Sequence, residues 1–366
     1  MIREKDFIPS LTGIRAICAY FIFFKHLNPF SPIDSPDGFL FVNQFYTFLT
    51  FFFVLSGFII CHKFYEISSL RRKQLYNYFV NRVSRVFPVL FILTTITFAF
   101  LFLERSESTR ELIKTYFLNI TLLKGFSSTW YLTGIGPGWS LSVEELFYFL
   151  SPFFFMIIRR KSALLKILLG VYAAGALLTL VFSQINFEGF FSNFPFTFYF
   201  TFFGRVFEFV CGMYLAMVVK GIYKSPILEK IGRGATNTGL FIIAGCLVLL
   251  YGIAQWLNIM QAYEHWSGLI VNNILMPIGI TIFFYGLIYH RSITQRFLGS
   301  RPIVAVGNST YSFYLLHTSF ALSLTQKYIT DNIFLILILM IGYALGFYFT
   351  VEQPLAKLLR RKFIRK

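Results

Sequence analysis

Charge is what this sequence has least of. Only 13% of its 366 residues are Asp, Glu, Lys or Arg, while 56% are hydrophobic. Soluble domains carry about 25% charged residues, so the composition excludes an ordinary soluble fold and points to an integral membrane protein. Acids are scarcer than bases, 16 against 33, which leaves a net charge of +17. Cysteine is limited to Cys18, Cys61, Cys211 and Cys246, none of them in a C-x-x-C pair. Their apolar surroundings suit small packing residues and argue against a disulfide framework or a metal site. There is no G-x-S-x-G nucleophile elbow. Internal repeats are lacking, which weakens a transporter built from inverted repeats. The first apolar run has no small-residue cleavage site, so it is expected to stay as a helix rather than leave as a signal peptide.

Present instead are long apolar runs and many aromatics, with 49 Phe and 21 Tyr. Runs long enough to span a bilayer occur near 11–27, 42–62, 86–103, 142–158, 164–183, 195–219, 237–257, 267–289, 303–324 and 332–351. The expected fold is therefore an all-α polytopic bundle of about ten transmembrane helices, forming one integral-membrane domain over 1–366. The piece around Leu112 to Leu123 is too short and polar to span, and is expected at the surface. With both termini placed in the cytoplasm, inner segments hold 26 Lys and Arg and outer segments 5. That bias fits the positive-inside rule and removes a nucleic-acid partner, because the bases serve as topology determinants spread over inner loops. The one long outer loop is about 104–141, and a basic tail of about 355–366 reads as a lipid anchor.

Arg15 and His26 stand eleven positions apart in the first run. At about 100° per residue they fall on one helix face, separated by roughly 16 Å along the axis. Read alone, Arg15 snorkels to phosphates and His26 ends the helix; read together, they line a pathway. In "YFVNRVSRVFP", Arg82 and Arg85 share a face at the inner entry of the third run, where two forked guanidiniums suit phosphate groups. As positive-inside residues they would need no further role. "GPGWSLSVEELFYFLSP" enters the fourth run from outside with Glu144 and Glu145 near its start. Capping explains one acid, but two acids with Trp139 and Tyr148 exceed what a helix terminus needs. Ser140 or Ser142 is expected as an N-cap rather than a nucleophile. Arg205 and Glu208 lie one turn apart deep in the sixth run, where an internal ion pair is the leading reading and substrate binding the alternative. Tyr311, Tyr314 and His317 follow one another at single-turn spacing, a stripe of hydrogen-bonding groups.

Taken in order, these segments make the chain resemble the acyltransferase 3 family of polytopic bacterial membrane proteins. The matching stretches are Arg15-x10-His26, "FFVLSGFII" from Phe52, and Arg82-x2-Arg85-x2-Pro88, then "GWSLSVEELFY" from Gly138, "GNSTYSFYLLH" from Gly307, and "EQP" at Glu352 to Pro354. One departure is that Phe48, Leu49 and Thr50 stand where the family often has a Gly-Val-Asp-like entry. The resemblance implies a multi-pass protein of the bacterial inner membrane, of the type without an added periplasmic hydrolase-like domain. It implies transfer of an acyl group, commonly acetyl, from cytoplasmic acyl-CoA to a hydroxyl of a cell-envelope or secreted glycan. Acetyl-CoA is then a donor substrate, with no bound cofactor or metal; the partners are acyl-CoA, a carbohydrate acceptor and the bilayer, with a homo-oligomer left open.

On that reading Arg82, Arg85 and Arg15 hold the donor's phosphates. His26 is general base or acyl carrier, and Glu144 orients it or stabilises its imidazolium. Trp139, Ser140, Tyr148, Arg205, Tyr311 and His317 are candidates for binding the acceptor. From another class comes a flippase or transporter for a glycan or lipid intermediate, and from a third a sensor that binds acyl-CoA without turnover.

Overall fold

The computed structural model describes residues 7–66, 71–104, 108–158 and 160–364. Among them the secondary structure is helical, with no strand and one isolated bridge between Ser127 and Phe190. Arg3, Lys5, Arg105, Arg159, Arg365 and Lys366, which entered the charge count, lie outside the described residues.

Among the described residues eight helices are long and apolar enough to cross a membrane: Pro36–Phe64, Arg72–Leu103, Gly136–Ile157, Lys161–Ile185, Phe194–Val219, Pro226–Leu257, Trp266–Tyr289 and Ile333–Phe363. They match eight of the ten expected runs. The first run does form a helix, Pro9–His26, but Pro9, Arg15, Lys25 and His26 keep its 18 residues less apolar than the most apolar 18-residue stretch of each of the eight. The ninth run, 303–324, is broken into Arg301–Asn308, Thr310–Leu316 and Phe320–Tyr328. Breaks fall at Ser309 and at His317 to Ser319, where short polar side chains offer the backbone other partners. Ser319 accepts from the Ala321 N–H and so starts the next helix. The peripheral piece is the 12-residue helix Thr109–Ile120, capped by Ser108, which accepts from the Glu111 N–H.

The chain forms two compact units. The first comprises 1–65, 157–171 and 204–308. Its helices approach at glycines. A Cβ on Gly57 would lie 2.3 Å from the Phe209 carbonyl oxygen, and one on Gly212 would lie 2.1 Å from that of Val54. Helices Leu49–Phe64 and Phe202–Val219 thus touch backbone to backbone, as small residues allow inside a membrane where water does not drive association. Gly13 and Gly307 do the same for Pro9–His26, against the carbonyls of Leu298 and Thr12.

The second unit comprises 66–156, 172–203 and 309–366. Its longest helix, Arg72–Leu103, has 32 residues and contains Pro88. At 1.5 Å per residue it is about 48 Å long, more than the hydrocarbon thickness. It begins 14 residues before the apolar run it was expected to match, because the helix-permissive polar stretch ahead of the run continues it. Gln353–Phe363 packs along it. Residues Tyr348–Glu352 form a π-helical turn between Ile333–Phe347 and Gln353–Phe363.

Candidate active site

In the first unit, Arg15 and His26 ride on the single helix Pro9–His26, so the sequence spacing holds as a shared face. Arg15 is partly buried at a narrow crevice lined by Ile14, Cys18, Phe51, Phe52 and Leu55. Part of the "FFVLSG" stretch therefore walls Arg15, while its Gly57 permits the close approach to Phe209. His26 is the last helical residue and is exposed. Its position at the helix end leaves the ring exposed.

Arg205 and Glu208 form the internal pair expected of them. Arg205 Nε donates to Glu208 Oε2 at 2.8 Å, its NH2 lies 2.7 Å from Oε1, and neither residue is exposed to solvent. The same guanidinium donates to the Thr50 hydroxyl at 3.1 Å and sits 5.1 Å from the centroid of the Phe53 ring. Thr50 occupies part of the segment that departs from the family pattern. Nearby in the same unit, Asn273 donates to the Gly204 carbonyl and Asn272 to Asn273 Oδ1, within the π-helical turn Val271–Leu275. Such turns occur often at functional sites. Two adjacent amides inside an apolar run were the signal for them, and the motif reading passed over it.

The second unit gathers most of the remaining candidates. Arg82 is buried, its guanidinium 5.5 Å from the centroid of the Tyr148 ring, a cation–π arrangement. Tyr78 lies one turn before Arg82 and donates to the Tyr148 carbonyl at 2.7 Å, which fixes helix Trp139–Ile157 beside Arg72–Leu103. Arg85 is within electrostatic range of both Arg82 and Glu145. Glu145 thus lies within electrostatic range of both arginines. Glu144 lies within range of Glu145 and is partly buried.

Neither serine of "GWSLS" caps the helix. It begins at Trp139, and Ser140 donates to the Pro137 carbonyl while sharing a 2.8 Å hydrogen bond with the Tyr314 hydroxyl. Ser142 donates to the Leu122 carbonyl at 2.5 Å. The local cause is the Gly136–Gly138 turn, which runs directly into the helix and carries both serines past the cap position. Trp139 packs against Tyr199 and Phe200, with ring centroids 6.0 and 4.9 Å away, and is 8% exposed.

Two members of the Tyr311, Tyr314 and His317 stripe tie helices together. Tyr311 donates to the Val86 carbonyl at 2.8 Å, and Tyr314 to that of Pro137 at 3.1 Å. His317 is fully buried, its Nδ1 3.2 Å from the Phe313 carbonyl oxygen and its ring stacked on that of Phe313. Glu352 of "EQP" accepts from Ser312 at 2.5 Å.

In the outer loop, Lys124 is buried and donates to the carbonyls of Thr133 and Ile135, each at 2.7 Å. Burial pushes its amine down from the usual 10.5 to about 7. It fastens the segment that leads into Trp139. Its signal in the sequence was faint, a single base beside Gly125. On the same loop, hydrogen bonds from Lys114 and then Trp130 hold the exposed Glu188 carboxyl below its ordinary range. Among the described residues no cluster of three His, Cys, Asp or Glu could hold a metal ion.

Comparison with known proteins bears on what this arrangement serves. The acyltransferase-domain family matches residues 8–351. The peptidoglycan O-acetyltransferase OatA of Listeria monocytogenes is 25% identical over 97% of this chain and 56% of its own length. The O-acetyltransferase OatA of Staphylococcus aureus strain NCTC 8325 is 24% identical over 89% of this chain and 53% of its own. The chain thus spans about half the length of these curated relatives. No solved structure matches it.

Proposed function

The chain belongs to the acyltransferase 3 family, and on that premise we propose that it is a membrane O-acyltransferase, its whole length one integral-membrane domain. It moves an acyl group from acyl-CoA to a sugar hydroxyl of the cell envelope. Acetyl as the group is supported by both O-acetyltransferase relatives, and peptidoglycan as the class of acceptor by the Listeria one. The observation that carries the donor assignment is the pair of guanidiniums in the second unit. Arg82 is buried inside a helix bundle with Arg85 one turn away. Two such forks suit the diphosphate and phosphate monoester of coenzyme A.

The reaction is an ester exchange. The oxygen of the sugar hydroxyl attacks the thioester carbonyl carbon, and its proton passes to the neutral imidazole of His26. The carbon–sulfur bond then breaks, and the coenzyme A thiolate takes that proton back. Base catalysis of this kind is worth about 10²–10⁴-fold. Exposure of His26 at the helix end suits an acceptor that enters from outside. The test of the expected partnership of His26 with Glu144 is functional. If Glu144 supports the imidazolium, Glu144→Gln costs much less in a His26→Ala background than in the wild type. Support for acceptor binding is uneven. Tyr148 keeps a ring face on Arg82, whereas Trp139 is packed among aromatics, and Tyr311 spends its hydroxyl proton on a backbone carbonyl.

The direct test supplies purified protein in nanodiscs with acetyl-CoA and a soluble peptidoglycan fragment, and follows the fragment by mass spectrometry. An added acetyl group that is lost in mild alkali is the expected product. An unmodified fragment that crosses the membrane of proteoliposomes would instead support the transporter reading.

A further inference from the structure

The C-terminal helix Gln353–Phe363 carries Arg360, Arg361 and Lys362 in its last turn. A basic terminal helix on a membrane protein reads first as a lipid anchor, with its cations turned outward. Arg361 and Lys362 fit that description and are exposed. Arg360 does not. It is partly buried, and its Nε donates to the Ser84 hydroxyl at 3.3 Å. Ser84 lies between Arg82 and Arg85 on helix Arg72–Leu103. Arg360 is accordingly within electrostatic range of both arginines, and of Tyr348.

Gathering a third guanidinium onto two others is unfavourable in itself, since like charges repel more strongly as water is excluded. Glu145 lies within electrostatic range of Arg82 and Arg85, and Glu352 accepts from Ser312. Arg360 meets Ser84, a neutral partner that orients its fork without neutralising it. An arrangement of this kind is stable with a multiply charged anion between the forks.

We propose that Arg360 is the third arm of one phosphate-binding site, in which Arg82 and Arg85 grip from the Arg72–Leu103 helix and Arg360 closes from the C-terminal helix. The ligand class is a phosphate ester bearing at least two negative charges. This rests on the donor reading above, under which the ester is the diphosphate or monoester of acyl-CoA. The same chemistry is offered by the headgroup of an anionic lipid, and the experiment separates the two.

Wild type, Arg360→Gln and Arg361→Gln are placed in nanodiscs of uncharged phosphatidylcholine and titrated with coenzyme A by calorimetry. The two variants lose equal charge from the same helix. We expect Arg360→Gln to weaken binding about ten-fold and Arg361→Gln to stay within about two-fold of wild type. Equal affinities in Arg360→Gln and wild type overturn the proposal. If wild type binds no coenzyme A, the donor reading fails, and thermal midpoints with and without phosphatidylglycerol decide the site. A lipid-induced rise present in wild type and Arg361→Gln but absent in Arg360→Gln upholds the three-arginine site with a lipid headgroup in it. A rise that is equal in all three, or absent from all three, overturns it. Should Arg360→Gln fail to fold, Ser84→Ala and Arg360→Lys carry the test. The first frees the fork and the second removes it while keeping the charge, so each is expected to weaken coenzyme A several-fold, and unchanged affinity in both overturns the proposal.

Discussion

Arg205 and Glu208 lie one helical turn apart, both fully buried, and meet through two contacts of 2.8 and 2.7 Å. Removing one partner strands the other charge in a low-dielectric interior. Arg205→Leu is therefore expected to cost about 3–5 kcal/mol of stability, and Arg205→Leu with Glu208→Leu markedly less. Thermal unfolding in detergent checks this. A single variant as stable as the double would show that the pair does not carry structure, and would return Arg205 to the list of acceptor-binding residues.

Gly57 and Gly212 set the approach of two helices in the first unit. Gly212→Leu places a side chain where a carbonyl oxygen stands 2.1 Å away, so the helices must separate. The expected result is poor yield of folded protein and a thermal midpoint lowered by several degrees. Gly252, where a Cβ meets nothing within 4 Å, is the control, and Gly252→Leu should behave as wild type.

Lys124 links pH to the stability of the outer loop. Its amine is pushed down from 10.5 to about 7 by burial. Between those values the unfolded chain holds a proton that the folded chain lacks. Raising the pH through that window therefore favours the folded state, and below about 7 the trend ends. The stability of wild type relative to Lys124→Met is expected to climb from pH 7 towards 10.5. A relative stability that is flat across the window would mean that the two carbonyls keep the ammonium charged throughout.

Arg82 and Arg85 separate donor binding from chemistry. Each substitution by Ala is expected to raise the KM for acetyl-CoA about ten-fold or more, with a smaller change in kcat. Arg82→Ala also removes the cation above the Tyr148 ring and should be the more severe of the two. Steady-state rates over a range of acetyl-CoA concentrations distinguish this from loss of folded protein, which lowers the apparent kcat alone.

Much of this was legible in the chain itself, and the reasons differ by residue. The apolar runs announce helices because a membrane leaves the backbone few other ways to satisfy its hydrogen bonds. Arg205 and Glu208 were paired from spacing alone, since neither can reach water from within the run. What spacing does not carry is the identity of a partner on another helix. That Glu145 comes within range of Arg82 and Arg85 depends on how one helix is rotated against another. Ser140 and Ser142 lie inside the helix rather than at its cap because the preceding Gly-Pro-Gly turn advances its start. The ninth run was broken by Ser309 and by His317 to Ser319, whose average hydropathy hides their effect on the backbone. Arg360 was lost among the other bases of a tail that looks uniform in sequence.

The central claim is acyl transfer from acyl-CoA with His26 at the reacting groups. It is tested most directly by acetyl-CoA binding and turnover, wild type beside His26→Ala, in purified protein in nanodiscs with acceptor present. The account predicts that both bind acetyl-CoA with similar affinity and that turnover in the variant falls by about 10²–10⁴-fold. A folded His26→Ala protein that turns over at the wild-type rate would contradict it.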